Sequence, residues 1–197
     1  MILEGIVTTI SAEGAVNIAP MGPSVEESMQ RFVLRPYRTA KTYQNLKACP
    51  EGVLHITDDV LLLARAAIGP VEPLPDLERP RRVQGFVLHD CCRYFEFRVQ
   101  GFDDSGERSR LDAQIVHAER VRDFFGFNRA KHAVIEAAIL ATRTAFLPRA
   151  EIEGELSRLE TIVRKTGGER ESEAFALLRD HVRHAREQEV KGAELAR

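Results

Sequence analysis

Several features that would assign the chain to a special class of protein are missing from its 197 residues. Only three cysteines are present, Cys49, Cys91 and Cys92, and their odd number and spacing exclude a framework of structural disulfides. The first residues lack a basic stretch followed by an apolar run, so no secretory signal is expected. No apolar run reaches the roughly 20 residues that a bilayer crossing requires. We therefore expect a soluble protein of the reducing cytoplasm with no role in a membrane.

The motifs of the common catalytic sites are also missing. The sequence contains no HExxH, no P-loop, no GxSxG and no GxGxxG. Its histidines have no spacing with one another or with cysteine that suits a metal ion, so no metal site is predicted. Asp58 and Asp59 resemble half of a metal site, but helix capping explains them without a metal. Cys91 and Cys92 could form a redox pair, although a buried corner with two small thiols is favoured. The catalytic residues are therefore unknown.

Composition indicates a globular protein with a real core. Hydrophobic residues make up 44% of the chain, and the formal net charge is -2. Because a binder of nucleic acid usually carries a strong basic excess, this balance argues against a nucleic-acid partner.

The first two thirds of the sequence predict a sheet protein. Short β-branched or alternating segments recur, and several are separated by hairpin-type turns. Pro20 is expected to end the second strand, and the run of strands favours an antiparallel barrel over a βαβ fold. The predicted strands cover residues 2–10, 15–19, 31–35, 52–57, 85–89, 93–102 and 109–120.

The rest of the chain is helical in character. A long helix is predicted over residues 129–146, and two amphipathic helices after Pro148, joined at Gly167 and Gly168, predict a helical hairpin. Within the barrel region, Thr39 is expected to cap a short helix over residues 40–49, and Asp58 a helix over residues 60–68. The expected organisation is a split-barrel domain at residues 1–125 followed by a helical region at residues 126–197.

The stretch RPYRTAKTYQNL, at residues 35–46, is the most distinctive part of the chain. No acidic residue occurs between Glu27 and Glu51, whereas five cations occur there, Arg31, Arg35, Arg38, Lys41 and Lys47. Cations mixed with hydroxyl and amide donors suit a phosphate group. A solvated basic loop or edge strand is the alternative interpretation. An aromatic cofactor with a terminal phosphate, such as flavin mononucleotide (FMN), would use this stretch together with the proline-glycine turn at residues 20–23.

Several motifs, in this order, resemble those of a poorly characterised, mainly archaeal family of the FMN-binding split-barrel superfamily. They are ILEGIVTTI (2–10), GAVNIAPMGP (14–23), RPYRTAKTYQNL (35–46), GVLHITDDV (52–60) and FNRAKHAVIEAAILATR (127–143). The resemblance covers most of residues 1–146. It implies a flavin reductase-like antiparallel barrel that forms a homodimer and holds FMN at the subunit interface.

The resemblance also implies which residues bind the cofactor. The phosphate and ribityl chain would contact Arg35, Thr39, Lys41, Thr42 and Asn45, and the flavin ring would lie along Asn17, Ala19, Pro20, Met21 and Gly22. A flavin-dependent or pterin-linked reduction in methanopterin-type one-carbon metabolism is the implied setting. Two interpretations stay open at this point, namely an FMN-dependent oxidoreductase and a flavin-binding or interaction module without catalysis.

Overall fold

The structure is a computed structural model that describes the backbone of residues 1–195 and the side chains of residues 1–185. Contacts divide the chain into two units, which are described separately. The first comprises Met1–Asp58 and Pro70–Phe124, and the second comprises Asp59–Gly69 and the chain from Phe125 onward. Within the described residues, no helix is both long and apolar enough to span a membrane.

The first unit is built on one antiparallel sheet of seven strands. The strands are β1 (Gly5–Ile10), β2 (Val16–Met21), β3 (Ser24–Val25), β4 (Arg31–Leu34), β5 (Glu51–Ile56), β8 (Arg93–Asp103) and β9 (Arg110–Arg120). Their order is β2-β1-β5-β8-β9-β4-β3. A bridge between Ile2 and Ser24 joins the chain before β1 to the far edge of the sheet. The sheet is therefore curled, and the predicted antiparallel split barrel is confirmed.

The inner face of this sheet carries the core of the first unit. Phe95, Phe97 and Val99 alternate along β8 and are buried there, and Phe97 meets Phe32 edge to face with ring centroids 5.1 Å apart. Tyr94 and Glu96, which alternate with these residues along β8, are buried as well. Glu96 accepts hydrogen bonds from the consecutive backbone N–H groups of Arg81 and Arg82, so the connection between β5 and β8 covers this carboxylate.

Two further predictions about strands need correction. Pro20 does not end the second strand, because β2 continues to Met21 and Pro20 pairs with Ile6 of β1. An edge strand tolerates proline, whose nitrogen has no hydrogen to donate. The strand expected at residues 85–89 is reduced to β7 (Val87–Leu88), which pairs with β6 (Leu77–Glu78) in a separate two-stranded sheet.

The second unit consists of helices. They are α2 (Val60–Ile68), α3 (Arg129–Ala141), α4 (Arg149–Thr166) and α5 (Glu169–Leu195), and α4 and α5 form the predicted hairpin through Gly167 and Gly168. Although α2 lies within the region predicted as barrel, it packs against α3 and α5. Its N-cap is Asp59, which accepts from two backbone N–H groups, and not Asp58 as predicted.

The long helix predicted over residues 129–146 is shorter in the structure. α3 ends at Ala141, and turns with local hydrogen bonds, such as that from Leu147 N to Arg143 O, lead to Pro148. Proline disfavours helical geometry in the residue before it, which explains why the chain leaves the helix ahead of α4.

Candidate functional site

The predicted phosphate-binding stretch forms a helix whose first turn has no side-chain cap. This helix, α1 (Lys41–Ala48), has Ala40 at its N-cap, with extended backbone angles and no capping hydrogen bond. Thr39 was expected to cap it but lies one residue outside the cap, so that prediction is wrong. No acidic residue occurs in the first turn. The open N–H groups and the positive end of the helix dipole therefore favour an anion.

Two exposed cations lie in the chain that leads into this helix and at its first residue. Arg35 directly follows β4, and Lys41 is the first residue of α1. Neither side chain makes a hydrogen bond or an ion pair within the part of the chain that the structure describes. Lys47 is different, because its ammonium group pairs with Asp104 at 2.9 Å. Two cations, a threonine hydroxyl at Thr39 and uncapped N–H groups are a donor set that fits a phosphate monoester.

A hydrogen-bonded network connects α1 to the first two strands. The Asn17 side-chain amide donates to Thr42 Oγ1 at 3.2 Å and to Thr9 Oγ1 at 3.5 Å. Asn45 donates to the same Thr9 oxygen at 3.0 Å. Thr42 and Asn45 are 3% and 7% exposed, so both face the protein interior. The network joins the predicted ring-binding and phosphate-binding groups, and it holds α1 against β1 and β2.

The residues predicted along the flavin ring lie on a strand at the edge of the sheet. Asn17, Ala19, Pro20 and Met21 are half-buried in β2, and the exposed Gly22 follows. On its outer side β2 pairs with no other strand among the described residues, so its edge can offer backbone groups to a planar ligand. A Cβ on Gly22 would lie 2.9 Å from Ile2 Cγ2, so the Ile2 side chain would have to shift to admit a larger residue here.

No hydrogen bond within the described residues joins the Arg35, Thr39 or Lys41 side chains to β2. The structure brings Asn17, Thr42 and Asn45 together, whereas Arg35 and Thr39 lie in the segment that leads into α1 and Lys41 is its first residue. Three surface cavities of about 550, 590 and 480 Å³ lie elsewhere, and none is lined by a predicted cofactor residue. Arg31, another cation of the basic stretch, lines the first of them, on the outer face of β4 and β9.

Sequence reasoning missed the contacts that the hairpin between β8 and β9 makes with the basic stretch. Asp104 Oδ2 accepts from the Tyr43 hydroxyl at 2.8 Å and from Lys47. Ser109 donates to Pro36 O through its backbone N–H and its hydroxyl. The turn itself was predicted, but nothing in the local sequence says which distant residues it contacts.

The cysteine corner is a structural feature. Cys91 and Cys92 are free and buried, and burial raises the pKa of Cys91 to about 12. The Arg122 guanidinium binds Asp58 at 2.7 Å and Asp90 at 2.6 Å, and these carboxylates raise its pKa. Because a thiol with a raised pKa is a poor nucleophile, the corner is suited to packing and not to redox exchange.

A second buried group contains a histidine. His55 is fully buried, and its Nε2 accepts from Leu88 N at 3.1 Å, so Nδ1 carries the proton and donates to Ile6 O at 3.1 Å. Burial lowers the pKa of His55 to about 4. A neutral ring with both nitrogens engaged ties β5 to β1 and β7, and it is not available as a catalytic base.

Comparisons with known proteins agree with this fold. No curated protein matches the chain in sequence. The structure of an FMN-bound protein, MM1853 from Methanosarcina mazei, has 20% sequence identity and a TM-score of 0.80, and the similarity covers 91% of this chain and 94% of that one.

Two other solved structures share a smaller part of the fold. An FMN-binding protein from Thermus thermophilus with bound 1-cyclohex-2-enone has 10% identity and a TM-score of 0.52, over 60% of this chain and 70% of that one. The styrene monooxygenase flavin reductase from Pseudomonas putida S12 has 10% identity and a TM-score of 0.51, and the similarity covers 61% of this chain and 80% of that one. At these identities the similarities show the fold alone.

Family models cover most of the sequence. Residues 3–122 match the N-terminal domain of a protein of unknown function, DUF447, and residues 128–180 match a second DUF447 model. The chain therefore belongs to the DUF447 family, in agreement with the family resemblance of its sequence motifs.

Proposed function

We propose that this protein binds FMN and acts as an oxidoreductase through it. One arrangement carries the proposal: an uncapped helix start, preceded by Arg35 and begun by Lys41, is connected by the Asn17–Thr42 hydrogen bond to the open edge of β2. Neither cation has a side-chain partner within the described part of the chain. The FMN-bound protein with a TM-score of 0.80 supports the choice of ligand.

At the phosphate end, Arg35, Thr39 and Lys41 would bind the phosphate oxygens together with the first N–H groups of α1. A phosphate dianion gains charge-assisted hydrogen bonds there, in a region without a competing carboxylate in the first helical turn. Thr42 and Asn45 are largely buried, and their proposed contribution is to hold α1 and to offer hydroxyl or amide groups to the ribityl chain.

At the ring end, Asn17, Ala19, Pro20, Met21 and Gly22 would line the flavin. The outer edge of β2 offers backbone N–H and C=O groups, and Pro20 contributes a flat apolar surface without an N–H group. Bound FMN would supply hydride or single-electron transfer, so a protein nucleophile is not required. The role of the protein is to bind the phosphate, orient the ring and form hydrogen bonds with the polar edge of the ring.

The proposal extends to organisation and setting. We propose that residues 1–125 form the cofactor-binding domain, that residues 126–197 form an appended helical region, and that two copies pair with FMN at their interface. The open edge of β2 leaves one side of the proposed ring site for a partner subunit to complete. The proposed class of substrate is a pterin or a second flavin, which the bound FMN would reduce.

The binding proposal is tested by FMN titration followed through absorbance near ~450 nm, a property of oxidised flavin. Each lost charge-assisted contact is expected to cost about 1.5 to 3 kcal/mol, so Arg35→Ala combined with Lys41→Ala should weaken FMN binding by several kcal/mol. Arg31→Ala is the matched control, because Arg31 is equally exposed and lines a different cavity. A protein that takes up no FMN, or a double variant that binds like the control, contradicts the proposal.

A separate measurement tests catalysis. NADH or NADPH should reduce the bound flavin faster than free FMN, and a candidate pterin should then be reduced in turn. Equal rates for bound and free flavin would instead identify a flavin-binding module without catalysis. Light scattering of the FMN-loaded protein tests the dimer.

A further inference from the structure

The β8–β9 hairpin contacts α1 along one face. Asp104 Oδ2 accepts from Tyr43 Oη at 2.8 Å and from Lys47 Nζ at 2.9 Å, and these two donors are four residues apart, one helical turn. The Lys47 ammonium also lies 4.7 Å from the centroid of the Phe102 ring. Arg38, just before the helix, donates to the Asp104 carbonyl at 3.4 Å. One hairpin residue therefore contacts both α1 and the segment that leads into it.

The same hairpin also holds the chain ahead of the helix. Ser109 donates to Pro36 O twice, from its N–H at 3.1 Å and from its hydroxyl at 2.8 Å. Arg108 donates to the Tyr37 hydroxyl at 2.8 Å, and its guanidinium lies 4.3 Å from the centroid of the Tyr37 ring. Because both sides of the helix start are attached to one hairpin, the position of the open N–H groups depends on it.

Contacts of this kind matter more for α1 than for a long helix. With eight residues, α1 is too short to be stable by itself, so its place is set by what holds it. Asn45 and Thr42 attach its inner face to β1 and β2. Asp104 attaches another face, and the hydrogen bond from Lys47, followed by that from Tyr43, lowers the pKa of this carboxyl. Asp104 is therefore ionised throughout the physiological pH range.

We propose that Asp104 is a positioning residue for the phosphate end of the cofactor site: it holds α1 so that the first N–H groups, Lys41 and Arg35 converge on one anion. This inference rests on the proposed FMN binding. It assigns to the β8–β9 hairpin a role in cofactor affinity, although neither Asp104 nor any other hairpin residue need touch the cofactor.

For the removal of Asp104, the proposal predicts a change in phosphate affinity that is opposite in sign to the change expected from its charge alone. Asp104 is an anion next to a site for an anion, so if it acted only through its charge, its removal would strengthen phosphate binding. If it acts by holding α1, its removal weakens phosphate binding. Riboflavin, which lacks the phosphate and keeps only the ribityl contacts, should respond much less to either effect.

The experiment compares Kd values for FMN and riboflavin in the full chain and four variants. Asp104→Ala should raise the Kd for FMN about tenfold, the change expected from one hydrogen bond to a charged group, and raise the Kd for riboflavin by clearly less. Asp104→Asn retains an oxygen acceptor for Tyr43 and should restore part of the affinity. Asp103→Ala is the matched control, because this neighbouring carboxylate bonds within the hairpin, to Ser105 N.

The outcomes separate the two proposals. If the unchanged protein binds no FMN, the proposed function and this inference are both overturned. If it binds FMN and Asp104→Ala binds FMN equally well or more tightly, only the positioning role is overturned. Should Asp104→Ala fail to fold, Tyr43→Phe provides the test, because it removes one hydrogen-bond donor to Asp104. This variant should raise the Kd for FMN about threefold. An unchanged Kd would refute the positioning role.

Discussion

Protonation of one buried histidine should destabilise this protein at mildly acidic pH. His55 is fully buried, with Nε2 accepting from Leu88 N and Nδ1 donating to Ile6 O. A proton added at Nε2 would face the Leu88 N–H, so the hydrogen bond would be replaced by two opposed donors inside the barrel. The charged ring would also lose its hydration.

The size and the sign of this effect follow from the pKa. Burial lowers the pKa of His55 from 6.5 to about 4, so the folded state favours the neutral ring. The stabilising contribution is therefore present above the pKa of the unfolded chain and is lost as the pH falls toward about 4. At about 1.36 kcal/mol per pKa unit, the complete loss is about 3 kcal/mol. By linkage, about 2 kcal/mol of this should be lost between pH 7.5 and pH 5.

Urea unfolding at pH 7.5, 6.5, 5.5 and 5.0, followed by circular dichroism, measures this loss. His55→Gln provides the control, since glutamine does not titrate: it should be less stable at pH 7.5 but should lose less stability on acidification. His89 acts in the opposite direction, because the hydrogen bond to Glu78 raises its pKa. NMR titration of the His55 ring measures its pKa in the folded state directly, and a value near 6.5 would refute the reasoning.

Two further predictions concern packing and thiol chemistry. Gly52→Ala should destabilise the protein by about 2 kcal/mol, because the added Cβ would lie 2.7 Å from Phe97 Cζ and 2.9 Å from Thr8 O. Gly154→Ala should instead stabilise the protein by about 0.5 to 1 kcal/mol, because Gly154 is exposed in α4 and a Cβ added there meets no atom within 4 Å. Thermal unfolding of the two variants measures both changes. In the native protein at pH 8, Cys49 should react with a thiol reagent well before Cys91 and Cys92, which are buried and have raised pKa values; equal reaction of all three would contradict the buried corner.

Much of the fold could be predicted because it depends on local patterns. Alternating apolar and polar residues identified the strand at residues 93–102, which is β8 in the structure, and Gly167 with Gly168 identified the break between α4 and α5. The lack of acidic residues around residues 35–46 singled out the helix start that is now the proposed phosphate site. These patterns extend over a few neighbouring residues, so they can be recognised without knowing how distant parts of the chain pack together.

Other features depended on neighbours that are distant in sequence. Pro20 could remain in a strand only because β2 lies at the edge of the sheet, which no local rule states. Asp59 caps α2, while the adjacent Asp58 binds Arg122, 64 residues away. The carboxylate that holds α1, Asp104, is 61 residues from Tyr43. Each of these roles arises from pairing or burial.

The sequence by itself therefore determined the class of fold, the helical hairpin and the region suited to an anion. Tertiary structure alone decided that Thr42 and Asn45 face inward, that Arg35 and Lys41 stay unpaired among the described residues, and that a hairpin holds α1 in place. The physical reason is that local charge and hydrophobic periodicity depend on neighbouring residues, whereas the contact partner of a side chain depends on which distant segments pack together in the fold.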